Sequence, residues 1–264
     1  MSLRALRRYL ARRALPAYDG DKRFDTALHT FNARLRARSH FALTRFGDGE
    51  MHIINGTAID LSAKLHGEHR YQPGETDGER QRERLRASMR YQHPDYFVGI
   101  ACPCCVGLAQ FRTLQAESGQ AESQLTWANV FVNANYAVFR SDTLSAIADW
   151  PTPPLLIGHQ AADPAGLPFP VAAHIKTGGN AWIQDCDRVL AEVDAAFSAQ
   201  GDEDRLLLVC AGVLSNIVIA ELHAAHPENT YLDLGSTLDV DMGLGATRKY
   251  LQRGKSLSKV CVWA

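Results

Sequence analysis

The chain has 264 residues, with 46% hydrophobic and 22% charged side chains, a formal net charge of -1 and six cysteines. It is long enough to bury a sizeable core, as one large α/β domain or as two small lobes, and its balanced charge gives no global reason to expect a nucleic-acid partner. No apolar run approaches the ~20 residues that span a bilayer and the N-terminus lacks the apolar stretch of a secretory signal, so the chain reads as cytoplasmic, with reduced thiols rather than a secreted disulfide framework.

In chain order, Leu3 to Leu15 spaces Leu3, Leu6, Leu10 and Ala14 as one apolar face among Arg4, Arg7, Arg8, Arg12 and Arg13. Two readings of this basic amphipathic helix stay open: packing on the domain with solvated arginines, the commoner fate of a charged run, or peripheral contact with the anionic inner face of the cell membrane. A second helix is predicted from Phe24 to Arg38, and residues 1–39 are taken as an N-terminal helical extension of a domain over 40–264. The apolar run His40 to Thr44 reads as a strand that delivers the chain to a tight loop, Arg45-Phe46-Gly47-Asp48-Gly49-Glu50, with a helical turn over Met51 to Ile54. Lys64 to Gly78 is polar and reads as a surface loop, Asp77 to Gln92 as a charged helix, Tyr96 to Ala101 as a strand and Val106 to Glu117 as a helix. Periodicity does not decide between helix and strand for Trp127 to Phe139.

Pro151 to Pro154 interrupts the pattern, which leaves a lobe boundary near Trp150 open. Beyond it come a strand at Leu155 to Gly158, a loop from His159 to Pro170, a short strand at Val171 to Ile175 and a helix from Ala181 to Ala199. Arg205 to Ala211 contains the continuous apolar run expected of a central parallel strand covered on both faces. The turn Ala211-Gly212, a helix from Val213 to Ala224 and a strand at Thr230 to Leu234 follow, and Met242 to Leu251 has a helix-like pattern. Repeated strand-turn-helix units predict an α/β fold with a Rossmann-like, mainly parallel sheet and helices on both faces.

In such a sheet, ligands bind beyond the carboxyl ends of the strands, so polar residues there are the site candidates. Asp48 and Glu50 are hard oxygen donors suited to Mg²⁺ or Mn²⁺, the glycines beside them permit close backbone approach, and Arg45 could balance a diphosphate. The alternative is a glycine turn with solvated acids. Gly212, at a helix N-terminus, is a candidate for a nucleotide phosphate or ribose, or simply a tight-turn glycine, and Ser215 and Asn216 lie on the helix behind it. Asp233, Asp239 and Asp241 form a second acidic group near the end of the chain; Asp239 or Asp241 could accept a proton or cap a helix. The sequence has neither the dinucleotide G-x-G-x-x-G pattern, the G-x-x-x-x-G-K-[ST] phosphate loop nor a Gly-x-Ser-x-Gly elbow. Cys102-Pro103-Cys104-Cys105 lacks the second cysteine pair of a structural zinc site, and His66, His69, His93, His159 and His174 show no ligand spacing.

The motifs Arg45-Phe46-Gly47-Asp48-Gly49-Glu50, Asn129 to Tyr136, Gly179-Asn180-Ala181-Trp182, Ala211-Gly212-Val213-Leu214 and Asp233-Leu234-Gly235, in that order, resemble those of the GT-D-fold glycosyltransferases, a bacterial family long catalogued as a domain of unknown function. The resemblance spans about Phe41 to Leu251, and its most specific part is R-x-G-D-G-E. It implies a metal-dependent glycosyltransferase that uses a nucleotide sugar, typically a UDP-sugar, to build a surface polysaccharide or glycoprotein. Asp48 and Glu50 would then hold Mn²⁺ or Mg²⁺, and Arg45, Gly47, Asn180, Gly212, Asn216 and Asp233 would surround the nucleotide. The implied partners are the donor and a glycan acceptor, with a lipid-linked acceptor and a homodimer left open; for an inverting enzyme, Asp239 and Asp241 are the candidate bases. Ser236 stands where the family commonly has a histidine, and neither the first forty residues nor Cys102 to Cys105 has a counterpart there. Two alternatives remain: a non-catalytic sugar-nucleotide-binding or assembly subunit, and a metal-dependent phosphohydrolase.

Overall fold

The computed structural model describes residues 27–61, 68–201 and 203–252. The basic segment Leu3 to Leu15 lies outside the described residues. Among the described residues, nine strands form two sheets. The main sheet has seven strands, β1 (Ala42–Phe46), β4 (Tyr96–Ile100), β5 (Leu125–Trp127), β6 (Leu155–His159), β7 (Ala173–Thr177), β8 (Leu206–Cys210) and β9 (Thr230–Asp233), while β2 (Ile59–Leu61) and β3 (Glu68–Tyr71) form a separate hairpin. The order across the main sheet is β5-β4-β1-β9-β8-β6-β7, and all neighbours run parallel. The α/β class expected from the repeated units is therefore observed, with the polar carboxyl ends of all seven strands on one edge.

Strand periodicity divides the core into two layers, because successive side chains point to opposite faces. Ala42, Phe46, Val98, Ile100, Leu207, Val209 and Tyr231 face one layer, and Leu43, Phe97, Leu156, Leu208 and Leu232 face the other. The first layer is closed by α2 (Asp48–Ile54), α3 (Thr76–Arg90), α5 (Leu108–Ser118), α9 (Cys186–Gln200) and α10 (Val213–Ala225). A four-residue turn of helix, α4 (Pro103–Val106), precedes α5. The second layer is closed by α1 (Ala27–Ala37) and α7 (Leu144–Ala148), the latter reached through α6 (Tyr136–Val138) and a π-helical turn at Phe139–Thr143. From α1, Leu28, Phe31 and Leu35 pack into the core; the Phe31 ring stacks on Phe41 at 5.4 Å and meets Phe97 edge-on at 5.2 Å. α10 is apolar on nearly every side because it is a buried central helix, packed against β1, β9, α3 and α9.

Several sequence expectations change. Asp48 to Glu50 is the first turn of α2, not an irregular loop. The stretch expected as a surface loop contains β3, whose Tyr71 pairs with Ile59. The Ala181 to Ala199 helix breaks at Asp185 into α8 (Ala181–Gln184) and α9. Met242 to Leu251 is a run of turns ending in a 3₁₀ turn at Lys249–Leu251, since Gly243 and Gly245 both have positive φ. The main sheet draws strands from both sides of Trp150, since β1, which precedes it, pairs with β9, which follows it.

Candidate active site

Strand connections open the carboxyl edge at two places. From β6 the chain moves outward to β7, whereas from β8 it moves the other way to β9. From β1 it leaves toward β4, while the segment after β9 crosses to the loop following β6, where the Asp163 amide donates to the Met242 carbonyl at 2.9 Å. Such reversals leave a crevice where ligands of open α/β sheets sit. Each one is occupied by a chamber. The larger, about 410 Å³, is lined at the β1 side by Arg45, Gly47, Asp48 and Glu50 and closed by Asn133, Arg248, Lys249 and Tyr250. The smaller, about 110 Å³, lies beyond β6, β7 and β8 against Trp182, His159 and Asp239. The chambers share Gly212, Gly235, Ser236 and Arg248.

β1 carries Arg45 to the floor of the larger chamber. Its side chain is 10% exposed, and its guanidinium donates to the Asp233 carbonyl at 2.7 Å, the Asp233 carboxylate at 3.3 Å and the Ala128 carbonyl at 3.1 Å. Arg45 thus ties the ends of β1, β9 and β5 together. The Asp233 carboxyl, itself 5% exposed, is pushed up by burial, while Arg45 and the Gly235 amide at 3.1 Å act in the opposite direction.

The two carboxylates of the acidic motif differ in setting. Asp48, at the first position of α2, is exposed to the chamber. Glu50 folds back over the helix start, where one carboxylate oxygen accepts the Gly47 amide at 2.9 Å. Gly47 is close-fitting, because a Cβ there would lie 3.2 Å from that oxygen. Burial pushes the Glu50 carboxyl up to about 7; the negative charges of Asp233 and Asp48 add to the rise, and backbone hydrogen bonds oppose it.

Gly212 starts α10 at φ +58°, ψ -130°, a backbone state that glycine takes readily, and it lines both chambers. Asn216, expected beside the nucleotide, is completely buried below the floor, where its side-chain oxygen accepts the Arg45 amide at 3.1 Å. Asn180 is also away from the chamber linings. Its amide pairs with both the N–H and the C=O of Arg70, each at 2.8 Å, and so fastens the β2-β3 hairpin to the start of α8. The terminal acids separate: Asp239 lines the smaller chamber and accepts the Thr247 hydroxyl, whereas Asp241 is paired with Arg140 and lines neither chamber. The structure therefore brings together Arg45, Gly47, Asp48, Glu50, Gly212 and Asp233, with Asp239 on the adjoining wall. Sequence reasoning gave no site role to Asn133, although it lies within the Asn129 to Tyr136 motif, nor to Arg248, Lys249 and Tyr250, whose local sign was the adjacent pair of cations.

Fold and cleft together define an α/β protein with an acidic, cation-flanked cleft at the carboxyl edge of a parallel sheet. Among solved structures, the chain is similar to the selenomethionine form of domain of unknown function 1792 (DUF1792), with a TM-score of 0.54 and 16% identity over 88% of this chain and 86% of that one. It is similar to a DUF1792 structure described as having a distinct glycosyltransferase fold, with a TM-score of 0.53, 16% identity and the same shares of each chain. A glycosyltransferase (DUF1792) from Streptococcus sanguinis gives a TM-score of 0.55 and 15% identity over 88% of this chain and 89% of that one. At these identities the likeness is one of fold. No family model matches the sequence, and no curated protein matches it.

Proposed function

We propose that the protein is a metal-dependent glycosyltransferase that moves a sugar from a nucleotide sugar, most simply a UDP-sugar, to a glycan acceptor in surface polysaccharide or glycoprotein synthesis. The observation that carries the reading is the meeting of Asp48 and Glu50 with basic residues in one cleft, on the fold shared with the DUF1792 structures. The donor chemistry fits a hard divalent cation. Asp48 and Glu50 offer oxygen ligands, Arg45 is committed to Asp233, and a cation would favour the charged form of the Glu50 carboxyl, which burial, with Asp233 and Asp48 adding to it, opposes. Among the described residues no group of three or more His, Cys, Asp or Glu side chains is arranged to hold a metal. An ion here would therefore rest on Asp48 and Glu50, with water and phosphate oxygens completing its shell.

When bound, Mg²⁺ or Mn²⁺ would supply Lewis-acid stabilisation of the leaving diphosphate. The protein's own part is to orient that group. Gly212 and Gly235 add no side chain to the cleft lining, Arg45 and Asp233 hold its floor as an ion pair, and Tyr250 and Asn133 wall the acidic chamber. If transfer inverts the sugar, a proton-accepting role falls to Asp239, which reaches the cleft, ahead of Asp241, which is held by Arg140.

Turnover tests the proposal. A panel of UDP-sugars incubated with Mn²⁺ or Mg²⁺ should release UDP, slowly to water and faster with a suitable acceptor, and EDTA should stop it. Asp48→Ala should lower the rate by about 100-fold or more, the scale of losing a group that stabilises charge in the transition state. Release of inorganic phosphate in place of UDP would assign the cleft to a phosphohydrolase, and absence of turnover across the panel would contradict the proposal.

A further inference from the structure

We infer that the segment from Thr247 to Leu251 is a strap that supplies the cations for the donor's diphosphate: Arg248 where the two chambers join and Lys249 beside the acidic carboxylates. This rests on the glycosyltransferase reading of the cleft and names the residues that meet the leaving group.

The first support is what Arg45 does. Its fork already serves two carbonyls and the Asp233 carboxylate, and its charge is balanced by Asp233. Moving it to a phosphate would leave a buried carboxylate without its partner, a costly rearrangement. The larger chamber then presents Asp48 and Glu50, which a divalent cation can satisfy, and two further cations, Arg248 and Lys249, both exposed at its wall.

The second support is the junction. Of the four described residues common to both chambers, Gly212 and Gly235 leave room at the backbone, Ser236 carries a hydroxyl shared with Tyr250, and Arg248 carries a charge. That set is suited to an anion lying across the divide. A guanidinium can hold phosphate oxygens in pairs, whereas an ammonium acts as a compact charge.

The third support is how the strap is held. Thr247 donates its hydroxyl to Asp239, the Tyr250 hydroxyl is 2.8 Å from Ser236 Oγ, and the Tyr250 ring meets Tyr136 edge-on at 5.0 Å. Tyr136 in turn donates its hydroxyl to the Thr237 carbonyl at 3.2 Å. These ties fix the backbone on both sides of Arg248 and Lys249 while the two cations face the cleft. Through Thr247, Asp239 also helps to position the strap.

Isothermal titration calorimetry with UDP and with inorganic pyrophosphate, each in the presence of Mn²⁺, tests the inference on the full chain. Arg248→Ala should weaken both ligands by about tenfold or more, as expected for lost charge-assisted hydrogen bonds, and Lys249→Ala should weaken both to a smaller extent. Arg248→Lys should recover part of the loss. Both side chains are exposed, so the variants should remain folded at the titration temperature, which thermal unfolding without ligand checks. UDP binding the wild type and both alanine variants equally would overturn the strap assignment and leave the glycosyltransferase reading standing. UDP failing to bind the wild type with Mn²⁺ would overturn that reading, and the assignment with it.

Discussion

Gly235 sits at φ +53°, and a Cβ built there would run into the Arg45 guanidinium. The left-handed backbone alone costs a non-glycine residue about 1–2 kcal/mol. Displacing Arg45 would add the loss of its hydrogen bonds to the Asp233 and Ala128 carbonyls and would unpair the buried Asp233 carboxylate. Gly243 is the natural control, since its φ is +75° and a Cβ there would meet nothing within 4 Å. Gly235→Ala should therefore destabilise the protein clearly more than Gly243→Ala in urea unfolding. Equal losses would mean that the Arg45-Asp233 pair does not depend on the space Gly235 leaves.

At the scale of elements, the β2-β3 hairpin stands apart from the main sheet and owes its position to side chains. Tyr71 packs near Trp182 at 6.2 Å and donates its hydroxyl to Glu79 at 2.7 Å, while Asn180 supplies the two hydrogen bonds that a neighbouring strand would otherwise give Arg70. Asn180→Ala should speed amide hydrogen exchange in Ile59–Leu61 and Glu68–Tyr71, with little change in β8 or β9. Unchanged exchange in the hairpin would show that aromatic packing alone holds it. The same element explains a limit of sequence reading: Glu68-His69-Arg70-Tyr71 has no apolar alternation, so nothing local announces a strand. The start of α2 was hidden for a related reason. Gly47-Asp48-Gly49 has poor intrinsic helix propensity, and the Glu50 carboxylate that satisfies the Gly47 amide is what starts the turn.

At the scale of the whole molecule, the central strands were the most legible part. Leu206 to Cys210 is apolar throughout because β8 is covered on both faces, and the shift from apolar strand to Gly-Asp-Gly-Glu marks the carboxyl edge in the sequence itself. The second half of the site was not legible. Arg248, Lys249 and Tyr250 follow a run of turns without periodicity, and only the chain's return across the β9 end brings them opposite Asp48. Asn216 and Asn180 show the converse: polar residues close in sequence to the cleft whose side chains serve the scaffold. No helix among the described residues is long and apolar enough to cross a membrane.

The central claim is that Asp48 and Glu50 hold a divalent cation that a nucleoside diphosphate completes. Thermal unfolding of the wild type and of the Asp48→Ala, Glu50→Ala double variant, with UDP and Mn²⁺ separately and together, tests it most directly. A ligand at a hundred times its dissociation constant stabilises the folded state by about 2.7 kcal/mol, roughly 5–10 °C for a domain of this size. The account predicts that shift for the wild type with UDP and Mn²⁺ together, little with UDP alone, and none in the double variant. A shift of the same size in the double variant, or none in the wild type with both present, would contradict it.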